Sequence, residues 1–209
     1  MKLKTVATTC TCALLLISGC AGKIRYPNYY ALSIPPAPQA DPLASRQSAT
    51  LAVRRFETPA YLRQGRIVYR ENPDQIGFYE YHRWAADPGA TVTTAVIDSL
   101  RCSHLFTSVA PYASDERPDY LLTGRLERLE EIDYGGGGVR VEARLSAELT
   151  DLRTGAIVWT GDASATSKVD QRNMNSVVSE MSAAVQESSQ HLLAGMKEKV
   201  SRAETAMRP

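Results

Sequence analysis

The chain contains little cysteine, and most of it lies at the start. Of the four cysteines in 209 residues, Cys10, Cys12 and Cys20 fall early and Cys102 stands alone in the rest. If residues 1–19 are removed and the Cys20 thiol is modified, Cys102 has no partner for an intramolecular disulfide. We therefore expect Cys102 to be a small buried side chain near the end of a helix.

Histidine is also scarce, which limits metal binding and acid–base catalysis. His82, His104 and His191 are far apart, and none has another histidine, a cysteine or an aspartate at the spacing of a metal site. No Gly-x-Ser-x-Gly motif marks a nucleophilic serine. The sequence therefore predicts no metal, no cofactor and no catalytic residue.

Two stretches suggest chemistry but have simpler explanations. The glycine run 135–138 is not followed by Gly-Lys-Ser/Thr and leads into a strand, so it predicts a turn between strands. Glu127, Glu130 and Glu131 could suggest a catalytic carboxylate pair. A solvated strand end explains them more simply. An envelope hydrolase, with groups converging from distant positions, stays open as an alternative.

The chain has no excess of either charge. It carries 24 Lys+Arg against 23 Asp+Glu, and removal of residues 1–19 takes away only Lys2 and Lys4. A protein that neutralises nucleic-acid phosphates needs a basic surplus, so we predict no nucleic-acid partner.

The first twenty residues have the layout of a secretory signal. Lys2 and Lys4 precede an uncharged stretch, 6–19, that is too short to span a bilayer as a helix. The stretch ends in Ile-Ser-Gly-Cys, which resembles the lipobox of bacterial lipoproteins. The resemblance implies that 1–19 is a lipoprotein signal peptide and that Cys20 is acylated. An ordinary signal with a chance cysteine is the alternative.

Acylation of Cys20 would hold the protein on a membrane. One acyl chain binds a bilayer only marginally and a second signal makes binding stable, so the three palmitate-like chains of a mature lipoprotein anchor it durably. The next residue is Ala21, where lipoproteins retained in the inner membrane usually have Asp. The resemblance therefore favours the periplasmic face of the outer membrane, with the inner membrane as the alternative.

The rest of the chain divides by composition into a tether, a domain and a tail. Four prolines between 35 and 42 lie among small and polar residues, which predicts an extended tether over 20–49. At about 3 Å per residue, the stretch 33–49 could reach roughly 50 Å. Tyr-Tyr-Ala-Leu at 29–32 is a short β-prone run that could dock on the domain. We assign 50–200 to the folded domain and 201–209 to a polar tail.

Hydrophobic periodicity predicts a mixed α/β (α+β) fold. The predicted strands cover 50–56, 66–70, 75–84, 105–110, 120–126, 139–150 and 156–160, with a bulge or strand end near Arg128. One helix should begin at Asp87-Pro88 and end near Cys102, and another should begin near Asn173. These elements predict a two-layer sandwich, in which two main helices cover a mixed, mostly antiparallel sheet.

Aromatic and basic residues concentrate between 61 and 84. Tyrosine, tryptophan and arginine are the residues that most often anchor protein interfaces. The candidate partner-binding residues are Tyr61, Arg66, Tyr69, Tyr79, Tyr81, Arg83 and Trp84. Simple alternation would place Tyr79, Tyr81 and Arg83 on one face of a strand. The alternative is that these are ordinary strand residues, half of them buried.

Several blocks, in order, resemble the ABC-type transport auxiliary lipoproteins, which include the PqiC-like lipoproteins. The blocks are Tyr-Tyr-Ala-Leu at 29–32, Pro-Ala-Tyr-Leu-Arg at 59–63, Tyr-Glu-Tyr-His-Arg-Trp-Ala at 79–85, and Asp-Leu-Arg-Thr-Gly at 151–155 followed by Val158 and Trp159. With Cys20 at the lipobox, they cover most of residues 20–195. The domain 50–200 is thus identified as a member of this family.

The resemblance implies a non-enzymatic role in transport between two membranes. Such lipoproteins work with an MCE-domain protein, which forms a periplasmic conduit for phospholipid or another hydrophobic molecule, and with its ABC permease and ATPase. The lipoprotein would hold or receive the outer end of the conduit and so support membrane integrity. A periplasmic lipid-binding carrier is the main alternative, and a homo-oligomer stays open.

Overall fold

The computed structural model describes residues 25–35, 47–115 and 117–207. The strands are β1 (Asn28–Tyr30), β2 (Gln47–Val53), β3 (Arg66–Asn72), β4 (Gln75–Trp84), β5 (Phe106–Pro111), β6 (Tyr120–Ile132), β7 (Arg140–Asp151) and β8 (Ala156–Lys168). The helices are α1 (Pro88–Ser103) and α2 (Met174–Met207), with a short 3-10 helix at Leu62–Gln64. Cys20, the predicted signal peptide and much of the predicted tether lie outside the described residues.

The eight strands form one mixed sheet around β6. Strand β7 pairs along one edge of β6 and β8 pairs with β7, both antiparallel. Strands β2 and β3 share the other edge of β6 in parallel, β2 at its start and β3 at its end. Beyond them lie β5 on one side and β4 then β1 on the other. The longest ladders are antiparallel, which confirms the predicted mixed, mostly antiparallel sheet with two covering helices.

Strand β7 and helix α2 supply much of the core. Alternate residues of β7 are buried, as the sequence predicts, and so is the stripe of α2 at helical spacing. The buried side chains of β7 are Val141, Ala143, Leu145, Ala147 and Leu149, and those of α2 include Val177, Met181, Ala184, Val185, Ser188, Leu192 and Met196. Because each large apolar side chain contributes about 1.5–3 kcal/mol on burial, this contact contributes strongly to the free energy of folding.

Helix α1 begins and ends as its sequence predicts. The Asp87 carboxylate accepts a hydrogen bond from the Ala90 backbone N–H at 2.8 Å, and Pro88 occupies the first turn. The helix ends at Ser103, and the cap residue His104 has φ 52°, in the left-handed region. The polar cap and the proline explain why the start of this helix is readable from sequence.

Three elements extend further than predicted. Strand β6 passes through a register shift between Leu126 and Arg128 and continues to Ile132, so the irregularity is a bulge. Strand β8 runs to Lys168, because backbone pairing with β7 sustains a segment that lacks apolar alternation. Helix α2 continues beyond Lys199 through residues of high helix propensity. Among the described residues, no helix has the length and apolarity needed to cross a membrane.

The short strand β1 joins the sheet ahead of the proline-rich segment. It pairs in parallel with β4, and the Ala85 N–H donates to the Tyr30 carbonyl at 2.7 Å. The Ser33 N–H then donates to the Ser182 hydroxyl of α2 at 3.1 Å. The proline-rich segment therefore connects β1 to β2, and it does not separate Cys20 from the folded domain. Only the residues before β1 do so, a shorter tether than the 20–49 that composition predicts.

Candidate functional site

A bulge in β4 decides which side chains of the aromatic region share a face. Arg66 pairs with Arg83 and Val68 pairs with Phe78, so two steps along β3 correspond to five along β4. An odd surplus of residues reverses the alternation. The Tyr79 ring accordingly contacts the His82 ring, with centroids 5.6 Å apart. Simple alternation over 78–84, as the sequence predicts it, is wrong at this bulge.

Four aromatic rings form a chain of contacts, here named the aromatic cluster: Tyr30, His82, Tyr79 and Tyr69. Successive ring centroids lie 5.5, 5.6 and 4.8 Å apart. The Tyr30 hydroxyl and His82 Nδ1 are hydrogen-bonded at 3.0 Å. Tyr69 lies over Gly77 on β4, where any added Cβ would collide with its ring. The cluster thus joins β1, β4 and β3 through side chains as well as backbone.

The aromatic cluster ends on a buried carboxylate, Glu131. The Tyr79 hydroxyl donates to Glu131 Oε2 at 2.9 Å, and Glu131 pairs with Tyr69 on one side and with Val141 of the helix-covered face on the other. Burial raises the pKa of the Glu131 carboxyl, and the hydrogen bond from Tyr79 lowers it in part. Burial and the nearby carboxylate raise the pKa of Tyr79. An open pocket of about 340 Å³ lies beside this pair, lined also by Tyr69, Phe78 and Asp133.

Glu130 points to the opposite face of β6 and is fully buried. Its Oε1 lies 2.7 Å from Arg70 Nε, while Oε2 has no hydrogen-bond partner among the described residues. Tyr61 covers this pair: its hydroxyl donates to the Glu127 carbonyl at 3.0 Å, and its pKa is raised by burial and then by Glu130. The prediction of a solvated strand end is therefore wrong for Glu130 and Glu131, which are 0% and 7% exposed.

The outer face of the same strands carries a second group, here named the Arg–Tyr patch: Arg25, Tyr29, Arg66, Tyr81 and Arg83. Tyr29, Arg83 and Arg66 are direct neighbours across β1, β4 and β3. Arg25 lies over the Tyr81 ring at 5.4 Å. The side chain of Tyr29 is 64% exposed. Arg25 and Tyr29 belong to this surface but were not singled out from sequence, because nothing local shows that β1 pairs with β4.

The seven candidate partner-binding residues therefore occupy four places. Arg66, Tyr81 and Arg83 lie in the Arg–Tyr patch. Tyr69 and Tyr79 lie in the aromatic cluster, on the other face of the sheet. Tyr61 is half-buried over the Arg70–Glu130 pair, and Trp84 is 6% exposed in the core. Burial removes Trp84 from any surface that a partner could reach.

Little in the described part of the chain resembles a catalytic or metal centre. Residues 25–35, 47–115 and 117–207 contain no cluster of histidine, cysteine or acidic residues able to hold a metal ion. Glu130 and Glu131 point to opposite faces of one strand and cannot flank one bond, as paired hydrolytic carboxylates do. Cys102 is partly exposed, which differs from the buried position expected of it.

A family model for the ABC-type transport auxiliary lipoprotein component matches residues 30–192. The chain belongs to this family. The match begins in β1 and ends in α2, so it includes the parts of both faces of the sheet described above, except Arg25 and Tyr29. Membership of this lipoprotein family indicates a membrane-anchored protein of the cell envelope that assists a transporter. The members are auxiliary components and are not known as enzymes.

Solved structures share the fold of this auxiliary lipoprotein. A Xanthomonas campestris protein of family-model DUF330 superposes with a TM-score of 0.73 at 18% identity, covering 86% of this chain and 100% of that one. A hypothetical protein from Chlamydia trachomatis gives 0.52 at 10% identity, covering 74% and 98%. At such identities the likeness concerns the fold alone. The search of curated proteins finds no match.

Proposed function

We propose that this protein is a non-catalytic accessory lipoprotein of an ABC/MCE-type lipid transport system. Fixed through Cys20 to the periplasmic face of the outer membrane, it acts as the adaptor between the transporter conduit and that membrane. The family match over 30–192, directly after a lipobox ending in Cys20, carries the proposal.

The position of β1 supports an adaptor that works close to its membrane. Asn28, the first residue of β1, follows Cys20 by eight positions. A fully extended chain spans at most about 3.6 Å per residue, so β1 lies within roughly 29 Å of the anchored sulfur. A domain held this close can receive a conduit at the membrane face.

The partner surface that we propose for the MCE-domain protein is the pocket beside the aromatic cluster. Tyr69 and Tyr79 offer rigid aromatic surface there, and Phe78 adds an apolar side chain. Aromatic anchors at a pocket are typical of residues that contribute most of the binding energy at interfaces. The exposed residue Glu80 at the rim allows the surface to be tested without disturbing the core.

The anchor is tested by releasing the domain from the membrane. Cys20→Ala, with residues 1–19 exchanged for a secretory signal that is cleaved without lipidation, should give a soluble periplasmic domain. We expect this form to bind the MCE-domain protein in a pull-down and to fail to complement a deletion strain. The lipidated wild type, expressed at the same level, is the control. Full complementation by the soluble form would contradict the adaptor role.

The partner surface is tested by charge reversal at its rim. Glu80→Arg should weaken binding of the MCE-domain protein by about tenfold or more, because it places a basic side chain in a rim that is otherwise acidic, with Glu71 and Asp133, and so suits a basic partner surface. Glu187→Arg, at an exposed position of α2, is the matched control and should bind as the wild type does. Equal affinities of the two variants, with unchanged melting temperatures, would exclude this surface.

A lipid carrier remains the second candidate, and one cleft bears on it. Leu100, Leu105, Leu193 and Met196 line an apolar cleft of about 210 Å³ between α1 and α2. Pockets that enclose a ligand usually measure about 300–1,000 Å³, so this cleft is small for a lipid. Lipid co-purifying with the domain in native mass spectrometry would favour the carrier over the adaptor.

A further inference from the structure

The chain between the anchor and the domain brings one surface close to the membrane. Arg25 follows Cys20 by five positions, and its guanidinium lies over the Tyr81 ring. At no more than about 3.6 Å per residue, Arg25 lies within roughly 18 Å of the acylated sulfur. The anchor therefore holds the Arg25 edge of the Arg–Tyr patch close to the bilayer.

The arginines of the patch have no carboxylate partner in the part of the chain that the structure describes. Arg66 and Arg83 are direct partners across β3 and β4, and like charges in that position are destabilising. No carboxylate among the described residues pairs with them or with Arg25, although several other arginines have one. The arginines with carboxylate partners are Arg55, Arg70, Arg101, Arg125, Arg128, Arg144, Arg153, Arg172 and Arg202. Two adjacent arginines and a third over Tyr81, none paired with a described carboxylate, indicate an anionic ligand from outside the chain.

Two exposed tyrosines accompany these arginines, Tyr29 as the strand partner of Arg83 and Tyr26 as the chain neighbour of Arg25. Tyr26 and Tyr29 are 78% and 64% exposed, the two highest values among the large hydrophobic side chains described. Tyrosine is enriched at the headgroup level of membranes, where its ring meets the acyl boundary and its hydroxyl meets water. Arginines near such a surface are attracted to anionic lipid headgroups. The two residue types together fit a membrane surface better than a single bound anion.

We propose that the Arg–Tyr patch, with Tyr26, lies against the phosphate headgroups of the bilayer that carries the Cys20 anchor. This inference rests on the lipidation of Cys20 in the proposed function. The contact fixes the orientation of the domain as well as its distance from the membrane. Because the aromatic cluster lies on the opposite face of the sheet, its pocket stays accessible to the transporter.

Site-specific fluorescence tests this orientation. The lipidated full-length protein carrying Tyr29→Trp is reconstituted into vesicles of phosphatidylethanolamine and phosphatidylglycerol that contain a nitroxide-headgroup lipid. Ile157→Trp, on β8 at the far end of the sheet and 57% exposed, is the matched control. Trp84 and Trp159 contribute the same background to both. We expect quenching to be at least about twofold greater at position 29 than at 157, as for an aromatic ring at headgroup level. Tyr26→Trp provides a second probe.

Charge reversal tests whether the arginines themselves, and not only the short chain to Cys20, hold position 29 near the headgroups. Arg66→Glu with Arg83→Glu, in the Tyr29→Trp background, should remove most of the excess quenching because anionic headgroups then repel the face. Arg117→Glu, an exposed arginine outside the patch, should leave the quenching unchanged. Equal quenching at positions 29 and 157, or no effect of the double reversal, would overturn the inference.

Mass spectrometry of the same sample distinguishes this inference from the proposed function. Acylated Cys20 with equal quenching at the two positions would overturn the membrane contact alone and leave the anchored adaptor standing. Unmodified Cys20 would overturn the anchor and the membrane contact together.

Discussion

Two adjacent glutamates of β6 show how burial and partners give one residue type two roles. Glu130 is neutralised by Arg70, which reaches it from the neighbouring strand β3. Glu131 has no ion-pair partner within the described ranges and instead accepts a hydrogen bond from Tyr79. The ion pair and the hydrogen bond both link β6 to the β3–β4 hairpin, one on each face of the sheet. We therefore expect the two sites to affect stability differently.

The Arg70–Glu130 pair should be strongly coupled. Removal of one partner leaves the other charge buried, which typically costs about 3–5 kcal/mol. We expect Arg70→Met to lower the free energy of unfolding by about 3 kcal/mol, and Glu130→Met added to it to restore most of the loss. Urea denaturation of the single and double variants measures this.

An exposed pair supplies the contrast. Arg144 and Asp162 lie 3.1 Å apart with side chains 47% and 63% exposed. Arg144→Met should therefore cost less than about 1 kcal/mol. Equal losses in the free energy of unfolding for Arg70→Met and Arg144→Met would show that burial does not make the Arg70–Glu130 pair more important for stability.

Glu131 should make stability depend on pH. Because burial raises its pKa in the folded state, the folded protein binds a proton at pH values where the unfolded chain has released it. Stability therefore falls as the pH rises through that interval. We expect Glu131→Gln, which can still accept the Tyr79 hydrogen bond, to melt above the wild type near pH 7 and to lose this advantage near pH 4. Thermal unfolding across this range measures the difference, with Glu187→Gln as an exposed control. A Glu131→Gln variant that melts below the wild type near pH 7 would contradict the prediction.

At the scale of elements, bulges determine which side chains of a strand lie on each face of the sheet, and caps determine where a helix begins. The bulge in β4 brings Tyr79 and His82 to one face and leaves Tyr81 and Arg83 on the other. The bulge in β6 keeps the strand paired with β7 while it changes which residues face the helices. The make-up of the aromatic cluster and of the Arg–Tyr patch depends on these two bulges.

The cap of α1 is the element feature most open to test. Asp87 accepts the Ala90 N–H and lies 3.1 Å from Arg55. We expect Asp87→Ala to lower the free energy of unfolding by about 1 kcal/mol, as loss of an N-cap usually does. Asp87→Asn keeps the capping oxygen and should recover most of that loss in chemical denaturation. A loss in Asp87→Asn equal to that in Asp87→Ala would assign the effect to the ion pair instead.

At the scale of the whole molecule, the place of β1 in the sheet decides how the domain is held. A flexible Gly-Ser insertion between Ala21 and Arg25 lengthens the segment that joins the proposed Cys20 anchor to β1. The same insertion between Pro36 and Pro38 lengthens the connection from β1 to β2. We expect the first insertion to reduce quenching at position 29 and complementation, and the second to leave both near the wild-type level. Equal effects would mean that β1 does not stay paired with β4.

Local patterns in the sequence determined much of the molecule. The apolar run before Cys20, the capped start of α1, the alternation of β7 and the stripe of α2 are each set by neighbouring residues, so periodicity and capping predict them. The family was likewise readable from short blocks in order. These features need no knowledge of distant pairing.

Tertiary structure alone decided the rest, because its causes are far apart in the chain. The docking of β1 on β4, the partner of Glu130 on β3 and the hydrogen bond from Tyr79 to Glu131 all join segments about fifty or more residues apart. Burial of a carboxylate depends on what covers it, and the bulge in β4 depends on its register against β3. A charged residue at a strand end therefore looks solvated in sequence, although the fold surrounds it.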